Sequence, residues 1–149
     1  MKTCLPAIAA LIALGPASAT GENAAAARIF AEARQSCADL DGEFAVRQGA
    51  RRQVDFGDGA AVALIDEAKF ACTAAASLYC GSGGCQLHLI SDDEALTFQA
   101  TGWKVVRWGE DRILLIARDG VWCGGYGVDR CYEAVNRSGG RFLTIRSPD

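Results

Sequence analysis

The sequence predicts an α+β fold, with one N-terminal helix packed on a mainly antiparallel β-sheet and braced by disulfides. Three observations lead there. Apolar residues recur at helical spacing only near the N-terminus, extended runs broken by glycine follow from Glu43 onward, and six cysteines survive removal of an N-terminal leader. With 149 residues the chain has room for one ordinary domain. Half of its residues are hydrophobic and only 3 are proline, which excludes a disordered or collagen-like chain.

Residues 1–19 read as a secretory signal peptide. Lys2 supplies the positive end, Leu5 to Leu14 the apolar stretch, and Ala17-Ser18-Ala19 the small-residue cleavage signal. The stretch is too short to cross a hydrocarbon core of ~30 Å as a helix, so no membrane span is expected once the leader is gone. Residues 20–149 are then one disulfide-stabilised domain, periplasmic or secreted. The full chain has 15 basic and 18 acidic residues, a net charge of −3. Twelve of the basic residues are arginines, scattered as on a solvated surface with local ion pairs. That balance argues against nucleic acid or an anionic membrane as partner.

Cleavage removes Cys4 and leaves Cys37, Cys72, Cys80, Cys85, Cys123 and Cys131. An even number in an oxidising compartment points to disulfides, although six cysteines allow 15 pairings in principle. Local geometry favours one of them. Cys80 and Cys85 bracket Gly81-Ser82-Gly83-Gly84, a loop short enough to bring the two Cα atoms to the ~5.5–6 Å a disulfide needs. Cys123 and Cys131 bracket a second glycine-rich loop, which leaves Cys37 with Cys72. The rival reading, a thiolate zinc site, lacks any C-x-x-C pair and is disfavoured by export.

Asn23 is a candidate cap for a helix over Ala24 to Cys37, on which Ala26, Ile29, Phe30, Ala33 and Cys37 form one stripe. Gly42 is its natural stop. Strands are expected over Phe44 to Arg47, Gln53 to Phe56, Ala61 to Ile65, Gln86 to Ile90, Leu96 to Gln99, Trp103 to Trp108, Ile113 to Arg118, Cys131 to Asn136 and Phe142 to Ile145. Gly57-Asp58-Gly59 and Gly109-Glu110-Asp111 read as hairpin turns. Ile113-Leu114-Leu115-Ile116 is apolar on both faces and reads as a central strand. Thr73 to Tyr79 is ambiguous between a helical turn and coil.

Several of these segments carry a resemblance. Asp55-Phe56-Gly57-Asp58-Gly59, Phe70-Ala71-Cys72, Leu78-Tyr79-Cys80-Gly81-Ser82-Gly83-Gly84-Cys85, Cys123-Gly124-Gly125 and Asp129-Arg130-Cys131 resemble an uncharacterised family of small exported bacterial proteins with a Cys-bounded glycine loop. The resemblance spans roughly Cys37 to Ile145 and implies the domain and its bridges, with no catalytic residues to transfer. Members of that family usually carry an acidic D-x-N-G-D-G-x-x-D turn similar to a calcium loop. Here the turn is one residue short, with Gly57 and Gly59 where oxygen ligands would stand. A plain Gly-Asp-Gly hairpin is expected, with no metal.

Catalytic signals are weak. Ser82 sits among glycines, but a nucleophile elbow needs G-x-S-x-G and position 80 is Cys. His88 is the single histidine, and alternation along Gln86-Leu87-His88-Leu89 sets it on the face opposite both leucines as an ordinary strand residue. Asp92-Asp93-Glu94 and Glu110-Asp111 stand at turns, where acids keep loops in water. Cys80 and Cys85 lack the C-x-x-C arrangement of a redox dithiol. No catalytic residue and no cofactor is expected.

The two bridged loops remain as recognition surfaces. A closed glycine loop exposes backbone donors and acceptors that are ordered before binding, which lowers the entropic cost of association. Tyr79 adjoins Gly81, Ser82, Gly83 and Gly84; Trp122, Tyr126 and Arg130 belong to the second loop. Tyr, Trp and Arg are favoured interface anchors. The competing reading makes the tryptophans core pillars and the glycines mere turns. The expected function is an exported, non-enzymatic binding or inhibitory module whose partner is a protein or glycan of the cell envelope. Two alternatives compete: a secreted hydrolase using Ser82 or acidic residues, and a purely structural envelope protein.

Overall fold

A computed structural model describes residues 21–146 except Asp93 and Val128, and for Glu22 the backbone alone. The expected leader, including Cys4, lies outside the described residues. One helix, α1 (Gly21–Ala38), precedes eleven strands. These are β1 (Phe44–Val46), β2 (Arg51–Asp55), β3 (Ala61–Asp66), β4 (Phe70–Cys72), β5 (Cys80–Gly81), β6 (Gly84–Ile90), β7 (Ala95–Ala100), β8 (Gly102–Trp108), β9 (Asp111–Asp119), β10 (Arg130–Ser138) and β11 (Arg141–Arg146). Short 3-10 turns occupy Glu67–Lys69 and Gly120–Cys123.

All strand pairs are antiparallel, but they form three sheets, not one. β1 pairs β4; β2, β3, β6 and β5 run in that order with β7 on β6; β11, β10, β9 and β8 form the third sheet. The split arises at Thr101. β7 pairs with β6, yet Thr101 N–H donates to Ala117 O and β8 continues on β9, so the chain leaves one sheet for the next at a single residue.

The five-stranded sheet is buried on both faces along β3, whose side chains divide by the two-residue period of a strand. Val62 and Leu64 join Leu87, Leu89 and Phe98 against Leu114, Ile116, Val135 and Phe142 of the four-stranded sheet. Ala63 and Ile65 join Ile90, Phe70, and Ala26 and Ala33 of α1. Ile113 to Ile116 lie on β9, which is central in its sheet between β10 and β8, as expected; Leu114 and Ile116 are fully buried, and Ile113 and Leu115 half-buried. Their face of the sheet also carries exposed Tyr132, Leu143 and Ile145.

The helix begins before the expected cap. Asn23 lies inside α1, and its Oδ1 accepts a hydrogen bond from Arg51 at 2.7 Å. At the other end Asp41, not Gly42, takes the left-handed conformation, with φ +57°. Gly42 is needed for closeness: a Cβ there would lie 2.6 Å from Cys72 Sγ and 2.8 Å from Cys37 Sγ.

Among the described residues three disulfides are present, Cys37–Cys72, Cys80–Cys85 and Cys123–Cys131. The Gly57-Asp58-Gly59 turn joins β2 to β3, and its acids face arginines of the third sheet: Asp55 pairs with Arg112 and Asp58 with Arg137. The Gly57 N–H, 2.7 Å from Asp55 Oδ1, is the main reason that carboxyl lies below its ordinary value; desolvation opposes it, and Arg112 adds to the lowering. The arginines are not all surface residues, since Arg118 and Arg137 are buried and carboxylate-paired.

Candidate functional site

The loop after β9 is built by its own hydrogen bonds. Asp119 closes the strand and caps the 3-10 turn, its Oδ1 accepting from Val121 N–H at 3.0 Å. Gly120 O accepts from Gly124 and Gly125 N–H, Tyr126 O accepts from Asp129 N–H, and Asp129 Oδ2 accepts from Tyr126 N–H at 3.1 Å. A Cβ on Gly120 would stand 1.9 Å from Tyr126 O, so only glycine lets the loop fold back on its start. Cys123–Cys131 then ties the turn to the first residues of β10.

On this frame Trp122 is 51% and Tyr126 80% exposed, and Arg130 is exposed as well. Trp122 is held from one side: the Arg118 guanidinium lies 4.3 Å from its ring centroid and 5.7 Å from that of Phe98. Arg118 is 5% exposed and pairs with Glu133 at 2.8 Å. Burial pulls its guanidinium below the ordinary value, opposed by the Glu133 carboxylate. The indole therefore has a fixed back and an open front.

The first glycine loop is the tip of a hairpin in which Cys80 faces Cys85 and Gly81 faces Gly84. Gly84 has φ +106°, and a Cβ there would meet Ala100 O at 2.1 Å, so the loop lies directly on the end of β7. Gly81 and Ser82 are exposed; Gly83 and Gly84 are half-covered. Tyr79 does not join them. Its ring packs against Phe44 and Phe70, at 5.8 and 5.6 Å between centroids, and its O–H donates to Ala33 O of α1 at 2.7 Å. Burial raises its phenol, with Glu67 adding to the effect.

Gly81, Ser82 and Gly84 line a hollow of about 200 Å³ together with Asp66, Thr101 and Trp103. The same Asp66 and Trp103 line a larger cleft of about 710 Å³, reached by Arg52, Lys69 and Lys104. Asp66 is 8% exposed, and both its oxygens are engaged: Oδ1 accepts from Ala68 N–H and Oδ2 from Trp103 Nε1–H, each at 3.0 Å. The Trp122–Arg130 loop contributes no residue to the lining of these two hollows.

No protein-family model, curated protein or solved structure matches the chain.

The Ser82–His88 pairing that a hydrolase would need is not assembled. His88 stands opposite Thr97 in the β6–β7 register, with Nδ1 3.0 Å from Thr97 Oγ1 and Nε2 2.9 Å from Glu67 Oε1. Both ring nitrogens are thus engaged beside α1, whereas Ser82 lines the Trp103 hollow. Of the acids weighed, Glu94 accepts from Phe142 N–H at 2.9 Å, and Asp93 lies outside the described residues. Trp108, weighed as a core pillar, is 75% exposed; Trp103 is half-buried. Sequence reasoning missed the Asp66–Trp103 pair because its members are 37 positions apart.

Proposed function

We propose that the protein is an exported, non-enzymatic binding module that engages a partner protein of the cell envelope through the Cys123–Cys131 loop. Export rests on the leader-like residues 1–19 and agrees with three disulfides, which persist in oxidising compartments. The observation that carries the reading is the pairing of order with exposure. Trp122 and Tyr126 are large, open to solvent, and mounted on a loop whose turns are closed by internal hydrogen bonds and a disulfide. Aromatic residues and arginine supply most hot-spot energy at protein interfaces, and Arg130 stands in the same loop. An ordered loop loses little entropy on docking.

The test is capture from an envelope extract by the immobilised oxidised protein, beside a Trp122→Ala/Tyr126→Ala double variant. A stoichiometric protein retained by the wild type and lost from the variant, both with the same melting temperature, is the expected result. Equal retention by the two proteins refutes the loop as the docking element. Retention of polysaccharide alone moves the partner to the glycan class.

A further inference from the structure

We infer that the cleft walled by Trp103 is a binding site for a small organic anion, a phosphate or carboxylate carried on a flat apolar body. Its volume of about 710 Å³ falls within the ~300–1,000 Å³ usual for small-molecule sites. Charge sets the class of ligand. Arg52, Lys69 and Lys104 all line the cleft, and none makes an ion pair with a described residue. Neighbouring Arg112 differs, because Asp55 neutralises it. The one acid in the lining, Asp66, has both oxygens closed by N–H donors and is nearly buried. Arg52 and Lys69 thus bring two cations without ion pairs to a cleft whose only carboxylate is already satisfied, while Lys104, opposite Leu115 in the register, belongs to the other face of β8 from Trp103. In a chain of net charge −3, such a local excess attracts anions against the global field.

Trp103 sets the rest. Asp66 fixes the indole by its N–H, and the ring is a wall common to this cleft and two adjoining hollows. The Arg52 guanidinium lies over this ring, 5.7 Å from its centroid, so a planar apolar group packs on the part of the indole that Arg52 leaves open, with its anionic end on Arg52. The site shares no residue with the Trp122–Arg130 loop, so this inference and the partner reading stand or fall separately.

Isothermal titration of the intact oxidised chain tests it, with 2-naphthyl phosphate and 2-naphthoate as probes and 2-naphthol and inorganic phosphate as controls. Both organic anions are expected to bind roughly tenfold or more tighter than either control, the margin of one charge-assisted contact. Lys69→Gln and Arg52→Gln should each weaken binding roughly tenfold at unchanged melting temperature, and added salt should weaken the wild type. Naphthol binding as tightly as the anions would reduce the cleft to an apolar hollow and overturn the proposal. Inorganic phosphate binding equally well would mean an adventitious ion only. Absence of binding at about 5 mM probe, or affinity indifferent to both salt and substitutions, rejects it outright.

Discussion

Tyr79 and Trp103 each direct one polar hydrogen to a single acceptor, and those two bonds hold different parts of the molecule in place. Tyr79 O–H reaches Ala33 O on α1, joining the helix to the aromatic group of Phe30, Phe44 and Phe70. Burial raises this phenol above its ordinary value of 10.0, so the folded state favours the protonated form. A raised value means the contribution is fully present below about pH 10 and is lost as pH rises through the folded value. Tyr79→Phe should therefore cost about 1 kcal/mol in urea unfolding near neutral pH. The difference from wild type should narrow above about pH 10. A constant gap across that range would contradict the raised phenol. Trp103 was legible only as an aromatic residue in a strand; its hydrogen bond to Asp66 depends on where β3 and β8 meet, which no local pattern encodes.

The strands were legible as short apolar runs bounded by glycine and polar turns. Val62 and Leu64, then Leu87 and Leu89, show the two-residue period that puts them in one core between sheets. The nine expected strands are all present, each shifted by at most a few residues at its ends. β4 and β5 were missed because three and two residues carry no periodicity. The division into three sheets was also hidden, since Thr101 looks like any polar strand residue until Ala117 O accepts its N–H. Among elements, α1 depends most on a cross-link: Cys37–Cys72 joins it to β4 across 35 positions. The chain-entropy model assigns a loop of that size about 4 kcal/mol. Cys37→Ala/Cys72→Ala should lower stability by about that amount or somewhat less, read by urea unfolding. It should also speed amide exchange in α1 before the four-stranded sheet. Loss of less than about 0.5 kcal/mol would show that apolar contacts alone seat the helix.

At the scale of the molecule, the five-stranded sheet is the middle layer, with α1 residues in the cluster on one face and the four-stranded sheet against the other. Pairs from Asp55 to Arg112 and from Asp58 to Arg137 join two sheets at the turn that resembled a calcium loop. The bridged loops were legible as candidates from cysteine spacing and glycine content. What each loop adjoins was not, because it follows from which strand ends they extend. One closes on β7 beside the Trp103 cleft, and the other carries Trp122 and Tyr126 into solvent. The partner reading rests on that second loop being built before anything binds. Amide hydrogen exchange of the oxidised protein, resolved by residue, tests this directly. Val121, Gly124, Gly125, Tyr126 and Asp129 should exchange slowly, because each N–H has an acceptor within the loop. They should become fast when Cys123–Cys131 is removed by Cys123→Ser/Cys131→Ser. Exchange at the rate of an unstructured peptide in the intact, oxidised chain would contradict the account.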